Sequence, residues 1–546
     1  MSATKLTPES RRHDLDALRA VAMLLGIGLH AAISFIPGDG FWAVKDTQTN
    51  EFFGLLMASI HGFRMPLFFL ISGFFTMMLF RKRGLRSLLG HRFKRIFLPM
   101  VLALFTIIPT VWAVSFYVGL KIKSKTAGPV SAEQIDIHLA AALGKTDRLA
   151  GLLDEGVDVD SRNHDGVTPL MVAALFGRPE AAELLIDRGA DSTIKGNKGE
   201  TVRDLLKVDQ GTTQWIGGMI GVEVDSSAMD EGRHEIAAIL PSRAIGTIAA
   251  KSETPVSREQ PMAAAVGLIA AGLYFPLFGH LWFLWFLCWL VVGFAVCISV
   301  GRAVSIPRAP TWFTLSPVSL LWLVPLTMIP QSFMGLQGQA FGPDTSIGLI
   351  PMPAVLAYYA IFFAFGALYF DARDDEGKLG SRWAITLPFA ALVLLPIGLA
   401  TSQMSEGIGR SVSVFVQATF VWLVSFGMMG IFRRYLSSES KAMRYLSDSS
   451  YWLYLAHIPL VIWLQYVVRD YDVSPLLKFP IVCVVAGVML LASYHWFVRF
   501  TPIGTLLNGK RSRKPREVIV EAELGEDDQR TPDPATLRLS GGRMAS

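Results

Sequence analysis

Long apolar runs recur along this chain, and they fix the solvent in which it folds. An α-helix needs roughly 17–25 mostly apolar residues to cross a bilayer. Ten such runs are legible, at about 17–36, 53–80, 96–120, 280–300, 312–331, 352–370, 383–401, 411–431, 450–468 and 475–497. The stretch "MAAAVGLIAAGLYFPLF" at 262–278 is apolar too, but it is short and Pro276 and Gly279 cut it off, so it reads as an interfacial or re-entrant segment. Composition agrees: 52% hydrophobic and 17% charged residues, with a mean hydropathy of +0.42, exclude an ordinary soluble globule. The expected fold is all-α, a polytopic membrane bundle of about ten transmembrane helices.

The charges then orient it. Basic residues gather in alternate short loops: "RKRGLRSLLGHRFKR", the loops with Arg302 and Arg308 and with Arg373 and Arg382, the loop with Arg433, Arg434, Lys441 and Arg444, and the tail "GKRSRKPR". The opposite loops hold little beyond Lys45, Arg410 and Arg469. Because Lys and Arg accumulate on the cytoplasmic side, both termini are expected in the cytoplasm. The net charge of +5 is thus a signature of topology, and no nucleic-acid partner is expected. A polar stretch precedes the first run and no small-residue cleavage pattern follows it, so that run is expected to be retained. Cys288, Cys297 and Cys483 lie inside apolar runs, without disulfide or metal-ligand spacing, and read as packing residues.

One segment leaves the membrane. Between Lys121 and Pro261 the composition turns polar and repeats itself every 33 residues: Gly144 with Gly177, Leu152 with Leu185, Gly156 with Gly189, Asp158 with Asp191, Gly166 with Gly199, Thr168 with Thr201. "DGVTPLMVAALFGRPEAAELLIDRGAD" resembles an ankyrin repeat, with Met171 where a His is usual. Two copies are plain, and a third begins at "KGETVRDLL" and is expected to finish at "HEIAAIL" after an insertion. The expected organisation is a membrane domain in two parts, 1–120 and 262–500, an ankyrin-like all-α insertion at 121–261 after the third helix, and a basic, then disordered, cytoplasmic tail at 501–546. The topology puts the insertion outside the cytoplasm, where its surface suits a protein partner.

Ionisable side chains inside the runs are costly, so each is a functional candidate. In "RRHDLDALRAVAMLLGIGLHAAISFI", Arg19 and His30 are eleven residues apart, close to three helical turns, so they share a face about 16 Å apart along the axis. The second run opens with "HGFRMPLFFLISGFF", where His61 and Arg64 share a face. Arg92 and Arg95 in "HRFKRIFLP" are spaced to face one way, and two guanidinium forks suit phosphate. His280 opens "GHLWFLWFL", and His457 stands in "SYWLYLAHIPLV" beside Tyr451 and Tyr454. Several histidines in the membrane suit proton handling or acyl transfer. No serine-hydrolase elbow, zinc-protease motif, P-loop or dinucleotide fingerprint is present in a suitable context.

Taken together, "RAVAMLLGIGLH", "RFKR" and about ten spans with cytoplasmic ends resemble the integral-membrane acyltransferase 3 family. "HGFRMPLFFLISGFF", "RFKRIFLPM", "GHLWFLWFL" and "SYWLYLAHIPLV" are similar to the subgroup that succinylates periplasmic glucans, over residues 11–120 and about 262–500; the ankyrin-like insertion departs from that pattern. The resemblance implies a multi-pass protein of the bacterial inner membrane with a periplasmic insertion. It implies an acyl-CoA donor, succinyl-CoA favoured and acetyl-CoA the alternative, a hydroxyl acceptor on a periplasmic glucan or other envelope saccharide, membrane lipid as surroundings, and no permanently bound cofactor or metal. Arg19, Arg92 and Arg95 are then expected to hold the donor, His30 to act as general base, and His61, Arg64, His280, His457 and Tyr454 to line the acceptor or acyl pocket. An acyl-His30 intermediate and a transporter of acylated or glycosylated molecules are the alternatives.

Overall fold

The computed structural model describes residues 12–38, 42–126, 135–163, 165–197, 199–220, 222, 224–240, 277–303, 310–335, 341–404 and 406–509. Among them the chain is helical throughout, with no strand, and it divides into two compact units, residues 1–114 with 270–546, and 115–269.

The first helices are α1 (His13–Ile33), α2 (Phe52–Arg92) and α3 (Leu98–Thr126). The expected runs 53–80 and 96–120 fall in one helical stretch, Phe52–Ile122, in which Gly84 breaks the geometry at φ 75° and ψ 173°. A left-handed φ followed by extended ψ turns the chain, and only glycine enters that region without strain. The link from α2 into α3 is a π-helical turn at Phe93–Phe97.

The polar unit carries the repeat into three dimensions. Its helices are α4 (Ile137–Leu143), α5 (Thr146–Asp154), α6 (Pro169–Leu175), α7 (Pro179–Asp187), α8 (Val202–Leu205), α9 (Gln210–Ile220) and α10 (Ser226–Ile239). The 33-residue period reappears as backbone angles: Gly144 and Gly177 take φ of 69° and 60°, Gly156 and Gly189 of 91° and 92°, Gly166 and Gly199 of 73° and 82°. Each pair ends a helix or turns a finger in the left-handed region. Thr168 caps α6 by accepting from Met171 N at 3.4 Å, and Met171 Sδ sits 3.5 Å from Thr168 N, a thioether in the place of the usual imidazole. The shorter helix α8 follows, and α10 packs on the pair α6 and α7, with Gly232 against the Gly177 carbonyl. One core joins the repeats through Ala141, Leu149, Leu170, Ala174, Leu185 and Ile236.

The membrane unit continues with α11 (Trp282–Ala303), entered through a 3-10 turn at Gly279–Leu281, then α12 (Thr311–Leu315), α13 (Val318–Gln331) and α14 (Pro353–Ala372). It closes with α15 (Trp383–Phe389), a π turn leading into α16 (Leu395–Ser402), α17 (Gly407–Tyr435), α18 (Lys441–Val468), α19 (Pro475–Ser493) and α20 (Pro502–Asn508). Eight helical stretches of the described residues are long and apolar enough to cross a membrane, the one at Phe52–Ile122 holding two of the expected runs. The run 312–331 departs from expectation: it splits at Ser316 and Pro317 into α12 and α13, and α13, at 14 residues, is about 21 Å long against a hydrocarbon core of about 30 Å. The expected segment at 262–278 lies almost wholly outside the described residues. Chain and lipid fit a multi-pass membrane protein, its lipid-facing positions marked by Leu321, Ile385, Leu392 and Val484, all more than 60% exposed.

Close backbone crossing sets the core. A Cβ on Gly73 of α2 would lie 1.9 Å from the Phe363 carbonyl oxygen of α14, and one on Gly366 would lie 1.9 Å from that of Leu70. Small residues let the two helices touch backbone to backbone. Aromatic side chains fill in around them, Phe69 meeting Tyr359 at 4.5 Å and Phe362 stacking on Trp422 at 4.2 Å. Helix α1 lies against α2 and α18, and these three carry most of the candidate site.

Candidate active site

Helices α1 and α18 are joined at two levels. Near the start of both, Arg19 Nη2 donates to Ser447 Oγ at 2.9 Å; three turns on, the His30 and His457 rings lie 5.2 Å apart. The two levels are about 16 Å apart along α1, so Arg19 and His30 face the same neighbour.

At the histidine level, side chains from three helices and a turn converge. His30 stacks on Trp42 at 5.6 Å and 13°, His457 meets His280 at 5.6 Å, and Tyr454 lies 6.0 Å from His280. Backbone carbonyls fix the tautomers, because a carbonyl only accepts. His457 Nδ1–H donates to the Tyr454 carbonyl at 2.7 Å, His280 Nε2–H to the Leu455 carbonyl at 3.0 Å and His61 Nε2–H to the Pro343 carbonyl at 2.9 Å. The second nitrogen of each ring is left as a proton acceptor. His457 is 3% exposed and its Nε2 meets no partner among the described residues; the same holds for the buried Nδ1 of His30 and the hydroxyls of Tyr359 and Tyr451. His30, His61, Arg64, His280 and Tyr454 are half-buried within the bundle.

Arg64 is the cation of this level, within electrostatic reach of His30, His61, His457 and Tyr454. Its guanidinium occupies a notch on α1, where a Cβ on Gly26 would stand 2.2 Å from Arg64 Nη1. It has no carboxylate partner among the described residues, and its Nε meets no acceptor.

A polar loop is fastened over the end of α1. Lys478 Nζ donates to Asp46 at 2.8 and 3.1 Å and to the Arg469 carbonyl at 3.0 Å; the ion pair is 2% and 0% exposed. Asp46 N donates to the Ser34 carbonyl at 3.0 Å. The loop brings Trp42 onto His30, and Trp42 Nε1 donates to Gln465 Oε1 at 2.8 Å while Gln465 Nε2 reaches the His30 and Ala31 carbonyls at 3.0 and 3.1 Å.

The arginine level is built differently. Arg19 is also 3.4 Å from Asp16 and lies over the Phe75 ring. Arg92 Nη2 donates to Thr76 Oγ1 at 2.8 Å, close enough to Arg19 for the two cations to repel. Arg95 departs from the expected pairing with Arg92: it turns to the Leu507 carbonyl at 3.3 Å. The π turn at Phe93–Phe97 explains this, because wider winding swings residues three apart off a common face. Arg12 forms a bidentate pair with Asp14 at 2.9 and 2.7 Å.

Sequence reasoning missed Trp42, Gln465, Ser447, Thr76 and the Asp46–Lys478 pair. Lys478 stood in plain view as a cation in the last apolar run, and Gln465, eight residues after His457, falls near its face of α18. The described residues contain no group of three or more His, Cys, Asp or Glu placed to hold a metal.

Fold and site thus define a multi-pass helical membrane protein with a histidine cluster at one level of its bundle and arginines at another. A family model described as an acyltransferase domain matches residues 12–134 and 245–495, more than half of the chain, and the chain belongs to that family. An ankyrin-repeat model matches residues 152–206. Among curated proteins the chain is similar to glucans biosynthesis protein C of Shigella dysenteriae serotype 1, 38% identical over 119 residues, 22% of this chain and 29% of that protein. It is also similar to the protein of that name from Escherichia coli strain SMS-3-5, 40% identical over 97 residues, 18% of this chain and 25% of that one. The matched stretches thus span under a third of those relatives. No solved structure matches the chain.

Proposed function

We propose that this chain is an integral-membrane O-acyltransferase of the bacterial inner membrane, with both termini cytoplasmic and the ankyrin-like insertion periplasmic. It moves an acyl group, succinyl favoured and acetyl the alternative, from cytoplasmic acyl-CoA to a hydroxyl of a periplasmic glucan or other envelope saccharide. The names of the similar proteins support the glucan. The observation that carries the chemistry is the placing of His30: flanked by His457 and Trp42, with its Nδ1 meeting no partner among the described residues, and about 16 Å along α1 from Arg19.

In this reading Arg19 and Arg92, with Arg95 at the rim, bind the phosphates of the donor, and its pantetheine arm runs along the α1–α18 seam. His30 takes the proton of the acceptor hydroxyl as the oxygen attacks the thioester carbonyl. A C–O bond forms, the C–S bond breaks, and the proton passes from His30 to the departing thiolate. Arg64, the cation without a carboxylate, sits where it would attract the oxyanion of the tetrahedral intermediate or the free carboxylate of a succinyl group.

The test uses His30→Ala and Arg92→Ala proteins purified in equal amount. His30→Ala is expected to lose transfer from succinyl-CoA and acetyl-CoA at any donor concentration, and Arg92→Ala to lose it at donor concentrations below the raised KM; undiminished transfer under those conditions would sink the mechanism. Reconstituted vesicles separate the transporter alternative, since an acyltransferase labels the acceptor without net movement of a solute.

A further inference from the structure

A cavity lies away from the histidines. It measures ≈ 680 Å³ and opens where the run 312–331 breaks, between α12, the start of α13 and the loop following α14. That loop belongs to the arginine level: Tyr369, near the end of α14, lies under the Arg12 guanidinium, and Asp371 pairs with Arg81.

Its walls differ along their length. Leu315, Leu320, Leu423 and Phe426 give the lining its apolar part. Two hydroxyls of the same lining meet no partner among the described residues: Ser319 Oγ, on a residue 1% exposed, and Thr386 Oγ1. At the rim stand Lys378, 3.1 Å from Glu376, and the exposed Arg382, which has no carboxylate partner among the described residues. Trp312, 59% exposed, stands at the mouth as aromatic residues do at a membrane interface.

A buried hydroxyl without a partner costs free energy that a ligand oxygen would recover. Apolar side chains, two hydroxyls without partners, exposed basic groups and an exposed Trp in one lining match one chemistry: an acyl chain topped by ester oxygens and a phosphate. The short helix α13 explains why space for it exists, since a 14-residue helix leaves part of the leaflet unfilled. We propose that this cavity is a binding site for one anionic phospholipid of the surrounding leaflet, separate from the acyltransfer site. The inference does not depend on the reaction assigned above.

Native mass spectrometry of the full chain, titrated with phosphatidylglycerol and separately with phosphatidylcholine, tests it. One phosphatidylglycerol is expected to be retained by wild type and equally by His30→Ala, with phosphatidylcholine weaker. Lys378→Gln/Arg382→Gln is expected to bind phosphatidylglycerol roughly 30-fold more weakly, from two basic residues near a membrane surface. Ser319→Leu, which adds bulk to the lining, is expected to lose it; the rim variant changes charged residues at the surface only and carries the test if the leucine variant does not fold. Equal phosphatidylglycerol binding by the rim variant and wild type would overturn the proposal, as would equal affinity for the two lipids. Displacement of the lipid by acetyl-CoA one for one would overturn it too, by making the cavity the donor's site.

Discussion

The two levels of the α1–α18 seam hold costly polar groups in opposite ways. At the arginine level each cation has a partner, Arg19 with Ser447 and Asp16, Arg92 with Thr76 and Arg12 with Asp14, although Arg92 Nε meets none among the described residues. At the histidine level His457, His280 and His61 are held through one nitrogen each by a backbone carbonyl, while Nε2 of His457, Nδ1 of His30 and the hydroxyls of Tyr359 and Tyr451 meet no partner among the described residues. A satisfied group fixes shape and charge; an unsatisfied one is available to a reactant. In the proposed reaction the arginine level holds the donor and the histidine level moves the proton.

His30→Ala attacks the contrast most directly. Acyl transfer is expected to fall roughly 10²–10⁴-fold, the usual worth of a general base, with donor binding unchanged. The assay is kcat against KM for acyl-CoA, and a KM effect alone would place His30 with the binding groups instead. Next in size is Lys478→Met, which strands Asp46 as a buried unpaired charge. Breaking such a pair by removing one partner costs about 3–5 kcal/mol, so thermal unfolding in detergent is expected to shift down sharply. Lys478→Met/Asp46→Leu is expected to recover most of the stability.

Arg92→Ala tests the other level. Loss of a charge-assisted contact to phosphate is worth about 1.5–3 kcal/mol, so KM for the donor is expected to rise roughly 10–150-fold with kcat little altered. The repeats supply a comparison outside the site. Thr168→Ala removes the cap of α6 and is expected to destabilise that unit by about 1 kcal/mol with transfer unaffected. The smallest effect is a pH dependence in the same unit. Hydrogen bonds from Thr193 hold the Asp191 carboxyl, and those from Thr201 the Asp204 carboxyl, below the ordinary 3.8. A depressed carboxyl stabilises the fold above its unfolded pKa, and that contribution is lost as pH falls through the folded one. The unit's melting temperature is expected to drop slightly more below pH 3.8 in wild type than in Thr193→Val/Thr201→Val.

Much of this was legible in the sequence because it rests on periodicity. The 33-residue repeat predicts the paired left-handed glycines of the polar unit, and the eleven-residue spacing puts Arg19 and His30 toward α18. Histidines 280 and 457 stood out because charge in an apolar run is conspicuous, although only the fold shows that they meet His30. Two features escaped for physical reasons. The π turn that parts Arg95 from Arg92 adds a residue to a helical turn without changing composition. The partners of the site, Trp42, Gln465, Ser447 and Thr76, are uncharged residues that hydropathy does not flag. The break in 312–331 was readable, since Pro317 with Pro325 and Pro330 argues against one straight helix.

The notch at Gly26 has a consequence for how variants of this chain are interpreted. A methyl group there collides with Arg64 Nη1, the free end of a flexible side chain, and not with backbone. Gly26→Ala therefore leaves the helix able to form and the charge inventory untouched, yet moves one guanidinium off its seat. A hydropathy plot would record the exchange as silent, while a genetic screen for lost activity would recover it beside substitutions of His30 itself.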